Sequence, residues 1–475
     1  MVKVLRDEDL RKEYRLTGIP SLPLKSTGNI VNENSLRVDW ESIVPKDRLS
    51  YIIGNPPFIG MTGPHSSICD KDRDMLYGNS KVKGYKRLDY VCCFFLKAIK
   101  YIQSSEIKMA FVTTDSITYG EYVNTFWNKV LAENNLKCYL IFAYKPFMWD
   151  SQSYDKAQVS VSILGLSFNK PTEAILYNNE GWYQEGEELN FYLKFAKNTF
   201  IERLDAQISG YKKPYNLIRA YDGNYLRYEG SIENFPQFKK DLMKPFYTAT
   251  SLIKRKVIWC YWLKDVPEDK WDKDISLRVA QVAYFRSVHS SMQDMVNYGH
   301  LFTKTQELVS NVVVVPLSQG IKSHLAMFYS ESPLFYDNSI ICIPGDKYLY
   351  GILSSKLFQI WVSFVGGLQY GTIITTDPYA YNTFPIPKDI KDPELLKHSE
   401  LRHNLLFDKY KDVNLNKLLK DAIPLDVQDC LDKLDHTVYR IYGFIHDDGS
   451  LYSDDEVLSS LLNMYKERVD SLDHQ

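Results

Sequence analysis

Apolar and polar positions fall into two regimes along this chain. In the first, Tyr51-Ile52-Ile53 is a short apolar run that stops at Gly54-Asn55-Pro56-Pro57-Phe58-Ile59-Gly60. A run of this kind predicts a buried strand. Two consecutive prolines, each with φ fixed and no N–H, cannot continue it. Residues 61–87 read as a loop. Leu88, Val91, Phe95, Ala98, Ile99 and Ile102 then recur at helical spacing and predict a helix over 88–103. Strands are predicted at 108–115, 138–143 and 158–166, with a helix over 121–131. Strand, helix, strand, helix, strand, strand is the later half of a doubly wound α/β sheet. Such sheets hold ligands beyond the carboxyl ends of their strands, where Asn55–Phe58 would form a rigid turn. The second regime, from about 175 to 390, consists of short aromatic-rich segments with many turns. Residues 391–475 are charged and helical, with Leu431, Leu434, Val438, Ile441 and Tyr442 at helical spacing. Residues 1–28, charged and then rich in Pro, Gly and Ser, read as a tail or connector.

The turn after the first strand carries candidate chemistry. The Asn55 side-chain oxygen and the Pro56 carbonyl are two acceptors held side by side. An amino group on an aromatic ring is a poor nucleophile, because its lone pair is spread into the ring. Two acceptors that take both of its hydrogens favour a pyramidal nitrogen with the lone pair free. Phe58 offers a flat face on which the same ring can stack. The arrangement suits methyl transfer to an exocyclic amine and needs no carboxylate base. The same residues also make an ordinary strand-ending turn, so the wider pattern has to decide.

Composition narrows the setting. A chain of 475 residues is long enough for two or three domains with substantial cores. A net charge of −2 gives no global basic signature, so any nucleic-acid contact must rest on local positive potential. Lys81-Val82-Lys83-Gly84-Tyr85-Lys86-Arg87 fits a phosphate-contacting loop beside the turn, with Lys83, Lys86 and Arg87 as candidates, and it fits a solvated loop equally well. A second cluster includes Lys239, Lys240, Lys244, Lys254, Arg255 and Lys256 among aromatics, the pattern of a groove binder or of a solvated face. The seven cysteines follow no metal-like or disulfide-framework spacing, which predicts a reducing compartment and no metal. The charged N-terminus does not read as a signal peptide, and no apolar run approaches the roughly 18 residues of a membrane span. A cytoplasmic protein is expected.

The ordered blocks bring a resemblance. Asn55-Pro56-Pro57-Phe58-Ile59-Gly60, Leu88-Asp89-Tyr90-Val91 with Phe94-Phe95-Leu96-Lys97-Ala98, Phe111-Val112-Thr113-Thr114-Asp115-Ser116-Ile117-Thr118, and Phe147-Met148-Trp149 with Lys156-Ala157 occur in that order. Together they resemble the methyltransferase part of the MmeI-like family of DNA adenine-N6 modification enzymes. Gly210, Asp222-Gly223-Asn224-Tyr225-Leu226, Trp259, Phe285-Arg286-Ser287, Val312–Ser318 and Tyr381-Asn382-Thr383-Phe384-Pro385-Ile386-Pro387 resemble its target-recognition region.

The resemblance implies a fold and a division of labour. It implies a partial doubly wound, Rossmann-like methyltransferase sheet over 29–174, a mixed α+β target-recognition domain over 175–390 and a helical region over 391–475. The cofactor would be S-adenosylmethionine and the partner double-stranded DNA. Asn55, Pro56, Pro57 and Phe58 would be the catalytic residues, Asn34 would face the cofactor adenine with Asn55 nearby, and Phe147 and Trp149 would form a second wall of the base pocket. Gln319 and Lys322 fall where the family places base-reading side chains, although Gln319–His324 departs from the usual residues there. His436 is read as structural.

The family's Gly-rich cofactor turn would have to lie before Asn34, where no strand–Gly-x-Gly–helix unit is found. A split or truncated chain is therefore expected, needing a separate partner for the cofactor-binding half and the nuclease. The rival readings are a non-catalytic DNA-binding specificity subunit and a methyltransferase acting on RNA guanine or protein glutamine.

Overall fold

The computed structural model describes residues 30–60, 69–77, 80–149, 159–178, 180–215, 219–303, 309–320, 324–366, 368–369, 372–374, 378–420 and 423–473. The expected tail over 1–28 and the Lys322 position lie outside the described residues. The first sheet has six strands: β1 Tyr51–Gly54, β2 Lys108–Thr114, β3 Tyr139–Trp149, β4 Val159–Ser167, β5 Ala174–Tyr177 and β6 Tyr183–Gly186. Their order is β1-β2-β4-β3-β5-β6. β1 is parallel to β2, and β4 lies antiparallel between β2 and β3. β5 continues the sheet parallel to β3, with β6 antiparallel beyond it. The sheet thus runs to Gly186, past the boundary expected at 174.

Helix α1, Val91–Ile102, covers this sheet because its apolar side chains outrun a single stripe; only Lys97, Lys100 and Tyr101 are not buried. Phe95 meets Phe111 of β2 edge-on at 5.2 Å and Trp127 at 5.5 Å, and Trp127 stacks on Phe191 at 4.2 Å. The helical segment over 120–133 carries a π-helical stretch, Val123–Val130.

Two strand expectations need correction. β1 forms, but it is not buried: Tyr51 is 66% and Ile53 79% exposed. It pairs with β2 on one side, and among the described residues no strand pairs with the other. An apolar run reads the same whether or not its face is covered. Phe147 and Trp149, expected in a connection, belong to β3 itself. A register shift between Tyr144 and Phe147 places Pro146 at a bulge, one of the settings in which a paired strand tolerates proline.

The second region holds a four-stranded sheet of Phe335–Tyr336, Met243–Tyr247, Ile258–Tyr261 and Arg227–Glu229, in that order. Beside it is a three-stranded sheet in which Val312–Pro316 pairs with Phe328–Ser330 and Ile340–Pro344. Val313 and Val315 face one core, shared with the first sheet, while Val312 and Val314 face a second. Ile341 and Ile343 divide from Ile340 and Cys342 in the same way. Period-2 alternation therefore makes this small sheet a wall between two cores, buried on both faces. The C-terminal helices join it rather than standing apart. Leu434, Val438, Leu461 and Tyr465 enter the first core and Leu431 the second. His436 is exposed.

Arg286 closes the second region. Fully buried, it donates to five backbone carbonyls, those of Ala220 (3.1 Å), Tyr221 (3.0 Å), Met295 (3.1 Å), Tyr298 (2.8 Å) and Leu301 (2.7 Å). All five guanidinium N–H donors are used, which no other side chain could achieve. Arg286→Met is expected to lower stability by about 3–5 kcal/mol in urea unfolding, since it removes the shared donor of five carbonyls, that of Ala220 buried. Arg286→Lys, with three donors, should recover only part of the loss.

Candidate functional site

Asn55 leaves the carboxyl end of β1 exposed to solvent, Pro56 is buried, Pro57 is exposed, and Phe58 is half-buried against the first core. Gly54 allows the close approach to β2, since a Cβ there would stand 3.3 Å from the Phe111 ring. The turn is pinned just beyond itself, at Ile59. Its carbonyl accepts from Tyr90 N at 3.1 Å and Arg73 Nη2 at 2.9 Å, and its N–H donates to Asp89 Oδ1 at 3.3 Å. Asp89 also accepts from Val91 N at 3.1 Å, at the start of α1. Burial pushes the Asp89 carboxyl up, and the Val91 and Ile59 N–H groups oppose it.

Next to this turn lies a cluster that sequence reasoning missed. Asp72, 2% exposed, accepts from Arg37 Nε at 2.7 Å, Tyr90 OH at 2.6 Å and Asn34 Nδ2 at 2.9 Å. Burial raises its pKa, but the bonds from Arg37, Tyr90 and Asn34 outweigh it and hold the carboxyl below its usual range. Asp72 stands in the helix Asp70–Tyr77, inside the 61–87 stretch that reads in sequence as a loop. Asn34, expected to face a cofactor adenine, is part of this cluster. Its amide donates to Asp72 and its oxygen accepts from Leu36 N at 2.9 Å, so both ends of the side chain hold the loop.

The carboxyl end of the sheet gathers the other candidates. Thr114 of β2 sits opposite Val161, and Val161 opposite Phe147. β3 runs in the same direction as β1 and β2, so Phe147 and Trp149 share the sheet end that bears Asn55. Three strand spacings, about 14 Å, separate β1 from β3. The two aromatic rings are 6.4 Å apart, and Trp149 is 40% exposed. At this end Asp115 follows β2. It is buried, its Oδ2 has no hydrogen-bond partner, and burial pushes its pKa up to about 6 against the Ser160 and Tyr119 hydroxyls and the Ser116 N–H.

The basic candidates divide. Lys83 and Lys86 are exposed, and Lys86 lies 6.0 Å from the Tyr85 ring centre. Arg87 is exposed but pairs with Glu121 at 3.3 Å. Lys254 and Lys256 are exposed. Arg255, expected among the DNA contacts, is half-buried here. Its guanidinium lies 4.6 Å from the Phe407 ring centre and donates to the Leu406 and Val413 carbonyls, and burial lowers its pKa to about 10. Gln319, expected as a base reader, is buried here. At 1% exposure its oxygen accepts from Ala326 N at 2.6 Å, so the amide braces the fold and is not presented at the surface. Among the described residues no group of His, Cys, Asp or Glu is arranged to hold a metal ion, and no helix is long and apolar enough to cross a membrane.

Known proteins bear on this arrangement. The family profile of the MmeI DNA-methyltransferase domain matches residues 3–178, and that of the MmeI target recognition domain matches residues 196–388. DNA methyltransferase A of Bacillus subtilis (strain 168) is 27% identical, in an alignment that takes in 98% of this chain and 53% of that protein. The chain thus spans about half the length of this curated relative. The solved structure of the type IIL restriction-modification enzyme MmeI in complex with DNA matches with a TM-score of 0.82 at 22% identity, covering 98% of this chain and 63% of that one.

The Asp115 carboxyl gives a pH test. Its folded pKa lies above the ordinary 3.8, so folding favours the protonated acid. That stabilisation is complete below about pH 3.8 and is lost as the pH rises through about 6. Asp115→Asn cannot ionise. Its stability relative to the native chain should rise by about 1–2 kcal/mol between pH 5 and pH 7.5 in paired urea unfolding curves. A difference that does not move with pH would show that Asp115 is not titrating.

Proposed function

Since the chain belongs to the MmeI-like family of DNA methyltransferases, we propose that it methylates adenine N6 at specific sites in DNA. The system would be a cytoplasmic restriction–modification one. The supporting observation is the Asn55–Phe58 turn. It faces solvent at a sheet end, is pinned at Ile59, and has Phe147 and Trp149 at the same end. The target adenine is flipped from the duplex and stacked on Phe58, with Phe147 and Trp149 as the opposing wall. Its N6 hydrogens go to Asn55 Oδ1 and the Pro56 carbonyl, and the nitrogen lone pair is freed toward the methyl donor. Because the turn is already fixed, little reorganisation is needed when the base arrives. Lys83 and Lys86 contact phosphates near the flipped base.

S-adenosylmethionine is the donor in this reading, and it supplies an electrophilic methyl group. The described residues do not make a pocket for it on their own. Asn34, the residue expected to meet its adenine, is held by Asp72 and Leu36, and among the described residues no strand pairs with the outer flank of β1. A further segment, on this polypeptide or another, would add a strand to that flank and carry most of the cofactor contacts. The same flank also favours a second reading, in which the chain acts as a recognition subunit without catalysis.

Two measurements separate these readings. Asn55→Ala, assayed with the segment that completes the β1 flank, should lower DNA adenine methylation by about a hundredfold or more while leaving DNA affinity unchanged. Retained methylation would refute the role of Asn55, and no methylation by the native assembly would leave the recognition subunit. In equilibrium dialysis, residues 1–475 alone should bind S-adenosylmethionine weakly or not at all and still bind duplex DNA.

A further inference from the structure

The second region contains a groove that methyl transfer does not use. It has a volume of 740 Å³ and is lined by Arg227, Glu229, Thr250, Lys254, Lys256 and Trp259 among others. The cations of this region are not equivalent. Lys239 is locked between Asp272 at 2.8 Å and Asp274 at 2.9 Å, and Lys240 donates to the Glu233 carbonyl. Arg227 lies 3.5 Å from Asp222 and its guanidinium covers the Phe246 ring. Lys254 and Lys256 are exposed and, among the described residues, have no ion-pair partner.

Their placement is nevertheless fixed from below. Lys254 ends the short helix Ala249–Lys254, and Arg255 follows in the left-handed region at φ 59°. That costly conformation is held by the Phe407 ring and the Leu406 and Val413 carbonyls. Lys256 N closes the turn on the Ser251 carbonyl at 2.9 Å. Arg255 is thus the anchor, and the lysines on either side of it both line the groove. Their ammonium groups have no ion-pair partner among the described residues, and Glu229 and Thr250 line the same groove.

We propose that this groove holds the sugar–phosphate backbone of duplex DNA, outside the bases that are recognised. The inference rests on the DNA reading above and deepens it. A lysine ammonium is a point charge on a flexible stem, suited to phosphate and poor at the bidentate recognition of a base edge. The guanidinium that could read guanine, Arg227, is already paired with Asp222 and packed on Phe246.

The test uses the full chain and the double variant K254Q/K256Q, with fluorescence anisotropy on several unrelated 30-base-pair duplexes over a salt series. Loss of two phosphate contacts should make the slope of log K against log[salt] shallower by nearly two, with affinity reduced to a similar degree on every sequence. An unchanged slope overturns the proposal, and so does a loss confined to one sequence, which would mark base reading. A free mononucleotide whose binding is lost in the variant, with DNA binding intact, would assign the groove to a small anion instead. Failure of the native chain to bind any duplex would overturn the DNA reading itself, and the groove with it.

Discussion

The candidate site depends on one residue that takes no part in its chemistry. Ile59 is tied through its carbonyl to Tyr90 and Arg73 and through its N–H to Asp89, at the start of the helix that covers the sheet. The two prolines before it have no N–H to give, so the turn cannot be fastened by their backbone donors. It is fastened one residue past Phe58 instead. The same helix buries Phe95 against Phe111 of β2, the strand beside the turn. Core packing and turn geometry are therefore parts of one constraint. Asn55 can stay in the open while the backbone that carries it is pinned at Ile59.

Much of this was legible in the sequence, for physical reasons that can be named. Helical spacing from Leu88 to Ile102 and the period-2 pattern of β2 announced the α/β layers, and Asn-Pro-Pro-Phe announced the turn. What escaped was set by partners distant in the chain. Asn34 is engaged by Asp72, 38 residues away, inside a stretch that reads as a loop. Arg255 sits between two free lysines and looks like them until Phe407 and the Leu406 carbonyl are placed beneath it. Gln319 looks like a base reader until Ala326 N is found on its oxygen. Hydrophobicity alone also could not tell that β1 is uncovered, because Tyr51-Ile52-Ile53 is apolar in either case. The strand expected to end at 143 is carried past Pro146 by a bulge, through to Trp149.

The C-terminal region shows how closely the two halves are joined. Asp435, on helix Leu425–Tyr442, pairs with His324 at 2.8 Å and accepts from Lys356 N at 2.8 Å. One buried carboxylate thereby meets both the segment after Gln319 and the start of helix Lys356–Val365. Since His324 ends the Gln319–His324 segment where base readers are expected, the late helices help to position that region as well as to fill the core.

The wall formed by Val312–Pro316 and Ile340–Pro344 has a consequence for anyone who would recombine such proteins. Its alternate side chains complete two interiors at once, so neither interior is a module that can be lifted out. A graft that exchanged only this strand pair would disturb hydrophobic packing on both sides. Specificity is more safely transplanted by changing solvent-facing loops than by trading whole blocks, and a chimera with its junction inside the wall should misassemble before it misreads.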